Sequence, residues 1–405
     1  MSDSAAQAKT WFLEGVGHFE AERLPDAERC FAAALALMPQ RPSVLTNLGV
    51  TRVRLGKPAE ALPLLQQALI FEPNNLEAWF FLGQAQFMLG QPALALPCFD
   101  KAVLIDDSRP LIWLEQAQTL ARLGRHEQAI ASFDRALALD ATLITAWSHK
   151  GSLLRELHRL PEAATCFEKA LALGADPQVH GFFLASVRGD AAPSTAPREY
   201  VEFLFDDYAD EFDQHLTQML NYQAYRVLVE QLAKLGSRRF ESALDLGCGT
   251  GLSAPLLKPL VAQLDGLDLS GGMLAKARAL GLYRELVHAD VVDYLSTTSR
   301  QDDLVFAADV FNYIGELAPV FEGVTRVLTP GGIFCFTVEL AAPGTVQTQL
   351  LPSLRYAHAE SHVRALASRY GLSVLQALTL PLREDQRQPV MGLYVYLGKP
   401  RHAAD

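Results

Sequence analysis

The chain has 405 residues, half of them apolar and a fifth charged, with a formal net charge of −11. That length admits two or three domains with proper cores. The acidic balance argues against avid binding to nucleic acid or to an anionic membrane.

No apolar run is long enough to span a bilayer. The opening Met1-Ser-Asp-Ser-Ala-Ala-Gln7 lacks the basic-then-apolar pattern of a secretory leader, so a cytoplasmic location is expected. The five cysteines (Cys30, Cys98, Cys166, Cys248, Cys335) are scattered with no Cys-x-x-Cys pair. Neither a disulfide framework nor a metal site is expected from them.

Shifted by 34 residues, the first half falls on itself. Ala27, Ala61, Ala95, Ala129 and Ala163 share one column, and Ala34, Ala68, Ala102, Ala136 and Ala170 another. Between them stand Phe31, Phe99, Phe133 and Phe167, with Leu65 in the second copy. Gly15, Gly49, Gly83 and Gly151 align with Ala117, and Trp11, Trp79, Trp113 and Trp147 with Leu45. Small residues at fixed positions let paired helices approach, and units that cannot bury an apolar face alone must stack. This period and pattern resemble the tetratricopeptide repeat, in five copies over residues 8–177.

The resemblance implies a concave groove lined by each copy's first helix, with Phe12, Phe19, Arg54, Phe80, Phe87, Arg122, Ser148 and Arg155 facing it. Such a groove suits an extended or helical peptide with acidic residues. Only Asn47 matches the asparagine clamp that grips C-terminal carboxylates, so that ligand is not expected. A packing or dimerising role for the array stays open beside the peptide-binding one.

His180-Gly-Phe-Phe-Leu-Ala-Ser186 reads as a terminal capping helix, and Ala191-Ala-Pro-Ser-Thr-Ala-Pro197 as a linker. A helix from Tyr200 to His215 follows, aromatic at Phe203, Phe205, Tyr208 and Phe212 and acidic at Asp206, Asp207, Asp210, Glu211 and Asp213. Its carboxylates have helical spacing, not that of a calcium loop, and read as a solvated face. A further helix covers about 222–235.

From Ser242 short apolar runs alternate with helical ones. Strands are predicted near 242–246, 263–268, 284–289, 303–308, 332–338, 372–380 and 390–397, and helices at about 252–261, 271–280, 316–328 and 358–370. Such alternation predicts a mainly parallel sheet covered on both faces, ending in an antiparallel hairpin. Ala243-Leu-Asp-Leu-Gly-Cys-Gly-Thr-Gly251 is the first strand and its turn. Its glycines let a ligand lie against the main chain, and the unpaired amides of the next helix suit a polar or anionic edge. A dinucleotide fingerprint needs Gly-x-Gly-x-x-Gly, and here the third glycine comes one residue early.

Asp245-x-Gly247-x-Gly249-x-Gly251 instead resembles the first motif of class I methyltransferases that use S-adenosylmethionine. Gly266-Leu-Asp-Leu-Ser-Gly-Gly-Met-Leu274, His288-Ala-Asp290, Asp302–Asn312 and Leu328–Thr337 resemble the family's later motifs in order. The resemblance implies that Asp268 holds both ribose hydroxyls and that Asp290 meets the adenine amino group. Leu269, Met273 and Val291 supply an apolar slot for the base. Asp245, Gly247, Cys248, Gly249, Gly251 and Ala308 complete the expected cofactor contacts, with Tyr208 as a lid. Cys248 reads as a small residue under the ligand. A helix cap or a surface charge stays open for both Asp268 and Asp290, and for Asp268, followed by Ser270 and a predicted helix, capping and binding are compatible. The order of parts, with Arg355-Tyr-Ala-His-Ala-Glu360 and Leu382-Arg-Glu384 near the end, resembles a bacterial group of repeat-containing methyltransferases.

The expected architecture is an all-α repeat solenoid (8–177), a capping segment and linker (178–198), and a Rossmann-like α/β seven-stranded methyltransferase domain (199–400) with N-terminal lid helices. A sulfonium donor is already activated, so orienting the acceptor is the protein's main task. Asp309 and Asn312 after the fourth strand, and Tyr356 and His358 after the fifth, are the catalytic candidates. His358 is the expected base on its intrinsic pKa, a capping or surface role standing beside it. Arg355 and Arg383 pair either with an acidic acceptor or with surface carboxylates. The acceptor, a small molecule or a protein side chain, is unidentified. The alternative function is a scaffold that keeps cofactor affinity while the array's partner contacts do the work.

Overall fold

The computed structural model describes residues 3–189, 192–206, 220–236, 239–385 and 387–401, and the chain divides after Ala175 into two compact units. The first unit is a run of helix pairs: α1 (Asp3–Glu20) with α2 (Leu24–Leu37), α3 (Pro42–Arg54) with α4 (Pro58–Phe71), α5 (Leu76–Met88) with α6 (Pro92–Ile105), α7 (Pro110–Arg122) with α8 (His126–Leu139), and α9 (Ile144–Glu156) with α10 (Leu160–Ala172). Proline begins α3, α4, α6 and α7, where its missing N–H leaves no helical bond unmade.

The periodic columns are the contacts inside each pair. A Cβ added at Gly15, Gly49, Gly83 or Gly151 would stand 2.7–2.8 Å from Phe31, Leu65, Phe99 or Phe167 respectively. Glycine on one helix is therefore what admits the large side chain of its partner, and those four side chains are wholly buried. Burial of each is worth about 1.5–3 kcal/mol. The turn within each pair also repeats: Gly56, Gly90 and Gly124 have φ of 71–72°, and Glu22 and His158 occupy the equivalent place at 57°. Trp79, Trp113 and Trp147 each donate their indole N–H to the carbonyl six residues back, at 2.8–3.0 Å. Their column thus ties loop to helix as well as filling space. Of the expected groove residues, Phe12 packs on Phe31, Phe80 on Phe99, and Phe19 lies under the Arg54 guanidinium at 4.9 Å.

The second unit contains α11 (Pro177–Arg188), α12 (Arg198–Asp206), α13 (Ala224–Lys234), β1 (Phe240–Leu246), α14 (Ala254–Leu257), β2 (Val261–Asp268), α15 (Gly271–Ala279), β3 (Glu285–His288), α16 (Val291–Thr297), β4 (Asp302–Ala307), α17 (Ala318–Val327), β5 (Leu328–Leu340), β6 (Thr348–Leu350), β7 (Tyr356–His358), α18 (Glu360–Arg369), β8 (Ser373–Asp385) and β9 (Gln388–Gly398). Strands run in the order β3-β2-β1-β4-β5-β9-β8, the first five parallel and the last two forming an antiparallel hairpin. Seven strands were expected; among the described residues the sheet has nine. The additional β6 and β7 attach where β5 runs past the end of β4: Glu339 pairs with Gly392 of β9 and with Ala357 of β7, one at each edge.

Alternate side chains of the strands feed two cores. Leu244, Val305, Phe334 and Phe336 face one side with Phe311, Phe321 and Leu366. Ala243, Phe306, Cys335 and Tyr396 face the other with Leu228 and Leu232 of α13. The strand order reverses between β1 and β4, which places a crevice at the carboxyl ends of these strands.

α11, expected as a cap of the array, buries Phe182 among Ala196, Leu350, Leu354 and Tyr356 of the second unit. The stretch expected to be a linker is also built into this unit. Tyr356 donates its hydroxyl to the Pro193 carbonyl at 2.7 Å. Gly315 and Glu316 donate their amides to the Ser194 carbonyl, and Ala196 donates to the Tyr313 carbonyl. Residues 193–196 are thus laced to 313–316.

Candidate active site

The crevice is a cleft with about 1180 Å³ of empty space, its open mouth included. Its floor is the turn after β1. Gly247, Gly249 and Gly251 have φ of 61°, 56° and 88°, conformations that strain any other residue. A Cβ at Gly247 would also meet Val310 at 2.6 Å. Two bonds lock the turn to β2: Cys248 donates its amide to the Leu267 carbonyl at 2.9 Å, and Gly249 donates to Asp268 Oδ2 at 2.8 Å.

Asp268 accepts a second amide, from Ser270, at Oδ1. Burial raises its pKa, against the pull of the Ser270, Gly249 and Leu269 amides. Each carboxylate oxygen keeps a lone pair beyond these bonds, the acceptor chemistry that the two hydroxyls of a vicinal diol need. Asp290 caps α16, its Oδ1 accepting from Val292 and Asp293 at 2.7 and 3.0 Å, and it lines the cleft as well. Leu269, Met273 and Val291 line the same end and supply an apolar slot. Asp245 is 1% exposed and accepts from the Tyr283 hydroxyl at 2.7 Å. Burial pushes its pKa up to about 7; the Tyr283 bond opposes this and the charge of Asp268 adds to it.

Three groups of lining residues were not named as such from sequence, although a lid helix from Tyr200 was expected. Arg198, Val201 and Phe205 of α12 line the cleft, and Asp206 at the end of that helix accepts from the Ser270 hydroxyl and the Gly272 amide. Thr195 and Ala196 of the laced stretch form another part. Tyr222 and Tyr225, stacked with centroids 5.6 Å apart, close the side nearer β4. The i, i+3 aromatic pair before an amphipathic helix was the signal available for them. The expected lid residue Tyr208 lies outside the described residues.

The far end of the cleft, after β4, has a different chemistry. Asp309 holds φ of 59° and donates its amide to Thr337 Oγ1. Its carboxylate accepts from Asn312 and from Nη1 of Arg383, whose Nη2 donates to Glu339 at 2.7 Å. Arg383 is buried and so is not the surface partner considered above. Ala308, Asp309, Tyr313 and Arg355 line the cleft here.

The structure corrects two catalytic expectations. His358 is wholly buried in β7, donates Nε2–H to the Phe311 carbonyl at 3.1 Å, and has Nδ1 3.2 Å from the Thr348 hydroxyl. Burial pushes its pKa down to about 4. With both ring nitrogens engaged away from the cleft it cannot serve an acceptor there. Tyr356, 1% exposed and bonded to Pro193, is a structural anchor. Among the described residues no group of three or more His, Cys, Asp or Glu could hold a metal ion, and no helix is long and apolar enough to cross a membrane.

Comparison with known proteins follows this division. The family model described as a methyltransferase domain matches residues 244–336, and that of the tetratricopeptide repeat matches 46–110, 89–144 and 114–180. Malonyl-[acyl-carrier protein] O-methyltransferase of Enterobacter lignolyticus (strain SCF1) is 29% identical over 201 residues, covering 46% of this chain and 75% of that protein. Trans-aconitate 2-methyltransferase of Acidovorax ebreus (strain TPSY) is 35% identical over 125 residues, covering 30% of this chain and 48% of its own length. The chain therefore spans from about half to three quarters of these relatives. The N-methyltransferase NodS from Bradyrhizobium japonicum WM9, solved with S-adenosyl-L-homocysteine, aligns at a TM-score of 0.36 and 19% identity over 44% of this chain and 87% of its own. The sheet order, the glycine turn and both family matches agree: the chain joins a tetratricopeptide-repeat array to a methyltransferase domain of class I fold.

Proposed function

We propose that the cleft binds S-adenosylmethionine and that the second unit transfers its methyl group to an acceptor entering at the β4 end. The observation that carries this reading is the pair of carboxylates at the ends of neighbouring strands. Asp268 offers lone pairs to a ribose diol, and Asp290, one β-strand over, offers an oxygen to an exocyclic amine, with Leu269, Met273 and Val291 as the apolar slot. Gly247, Cys248, Gly249, Gly251 and Ala308 leave room along the main chain for the amino-acid part, beside Asp245. The bound cofactor supplies an activated methyl group. The chain's own residues then fix its orientation, exclude water through α12 and the tyrosine pair, and hold the acceptor.

The names of the relatives, one for a malonyl group and one for trans-aconitate, support a small acceptor. The array supports a partner-binding role, in which it brings a protein or a carried substrate to the enzyme. Calorimetry with S-adenosylmethionine on the wild type and on Asp268→Ala tests the site. A binding heat lost in the variant is expected, and equal heats in both would remove the assignment. A scaffold that binds cofactor without turning it over is the second reading, favoured by the tied-up His358. Release of S-adenosylhomocysteine in a cell extract separates the two.

A further inference from the structure

We infer that the acceptor is a small carboxylic acid, held by the guanidinium of Arg355 and methylated on a carboxylate oxygen. This rests on the cofactor reading above and adds the acceptor class to it. The two arginines at the far end of the cleft are in opposite states. Arg383 is neutralised on both sides, Nη1 by Asp309 and Nη2 by Glu339. Arg355 lines the cleft, and among the described residues no carboxylate lies within ion-pair distance of it. Its hydrogen-bond partner there is the Tyr313 side chain, and the charges of Asp309 and Glu339, both paired directly with Arg383, act on it from further away. A half-buried guanidinium that lines the cleft with no direct ion pair among the described residues can take up an anion, its planar fork matching a carboxylate through two parallel bonds. An anionic acceptor supplies that pair, and a cationic one is repelled.

The surrounding groups point the same way. An ammonium or hydroxyl acceptor must lose a proton before or during attack, so it needs a base within reach. His358 is buried and engaged at both nitrogens, and Tyr356 donates to a carbonyl. Asp309 is held by Arg383 and Asn312. A carboxylate needs no base. Its oxygen lone pair forms the new O–CH3 bond while the C–S bond breaks and that electron pair leaves on sulfur. No proton moves, and the methylated carboxyl becomes a neutral ester group that Arg355 no longer attracts.

The test uses the full chain loaded with S-adenosylhomocysteine. Calorimetric titration with succinate, glutarate, benzoate and phenylacetate is set against the corresponding amides. At least one acid is expected to bind tenfold or more tightly than its amide; equal binding across every pair overturns the inference. In parallel, a small-molecule cell extract is incubated with methyl-labelled cofactor and treated with mild alkali. Label released as methanol reports an ester, and alkali-stable label overturns the inference while leaving the cofactor reading intact. No binding of S-adenosylhomocysteine at all defeats the cofactor reading itself. Arg355→Gln and Arg355→Lys assign the residue. Both are expected to bind S-adenosylhomocysteine within threefold of wild type, with the acid preference lost in the first and partly kept in the second. A tenfold loss of S-adenosylhomocysteine in both would give Arg355 to the cofactor's own carboxylate and overturn its acceptor role. The acid-to-amide ratio and the alkali test need only the wild type, so they decide even if a variant fails to fold.

Discussion

Gly249 donates its backbone N–H to Asp268 Oδ2 over 2.8 Å, which ties the turn after β1 to the carboxylate that ends β2. With the Ser270 amide on Oδ1, both oxygens of Asp268 hold main chain in place before any ligand arrives. Asp268→Asn offers one acceptor oxygen to two amides and turns an NH2 toward the other. The expected result is a loss of about 1–3 kcal/mol in stability and cofactor affinity weakened at least thirtyfold. Urea unfolding and calorimetry on the same protein check the two effects separately.

Asp245 makes the fold sensitive to pH. Its pKa near 7 lies far above the roughly 3.9 of an unfolded aspartate. Between those values the unfolded chain has released a proton that the fold retains, so stability falls as pH rises and levels off above pH 7. Asp245→Asn removes that fall. Between pH 5 and pH 8 the wild type is expected to lose on the order of 2–3 kcal/mol more than the variant, each pH unit being worth about 1.4 kcal/mol. The cationic cofactor favours the ionised form, so its affinity should rise through pH 7 in the wild type alone. Unfolding and binding titrations at the two pH values decide it.

In the array, the close approach of Gly83 to Phe99 leaves no room for a methyl group, a Cβ there standing 2.8 Å from the ring. Gly83→Ala gains about 1 kcal/mol of helix propensity and loses more to overpacking, about 1–3 kcal/mol. The expected sum is a net loss, read as a lower guanidinium midpoint. A midpoint at or above wild type would mean that the ring shifts freely.

His158 takes the left-handed place that glycine fills in three other copies, with φ of 57°. A left-handed conformation costs a side-chain-bearing residue about 1–2 kcal/mol, part of which is offset by the greater entropy that glycine loses on folding. His158→Gly is expected to stabilise the protein by about 0.5–1 kcal/mol, measured by the same unfolding titration. The opposite exchange, Gly124→His, should lower it by a similar amount.

The array was legible because the sequence states each contact several times: wherever Gly15, Gly49, Gly83 or Gly151 stands, a large apolar residue follows at a fixed distance on the partner helix. The parallel strands were legible as apolar runs because both of their faces are buried, as at Phe334, Cys335 and Phe336. Asp268 and Asp290 could be placed at strand ends beside the cleft because a motif fixes their position. His358 was misjudged because an intrinsic pKa says nothing about burial, and Tyr356-Ala-His358 is too short a strand to show a period. Thr195 and Ala196 were missed for another reason. They are placed by main-chain carbonyls and amides, such as Ser194 with Gly315, and these bonds leave no trace in side-chain type.

Small, proline-bearing stretches ordinarily tolerate insertion, since little depends on them. Residues 193–197 do not have that freedom. Pro193 is pinned by Tyr356, Ser194 holds two amides, and Thr195 and Ala196 face the ligand space. Lengthening this passage, or severing it to free the methyltransferase-fold sheet, would unpick part of the cleft wall with the connection. The seam suggested by composition runs through the wall of the cleft.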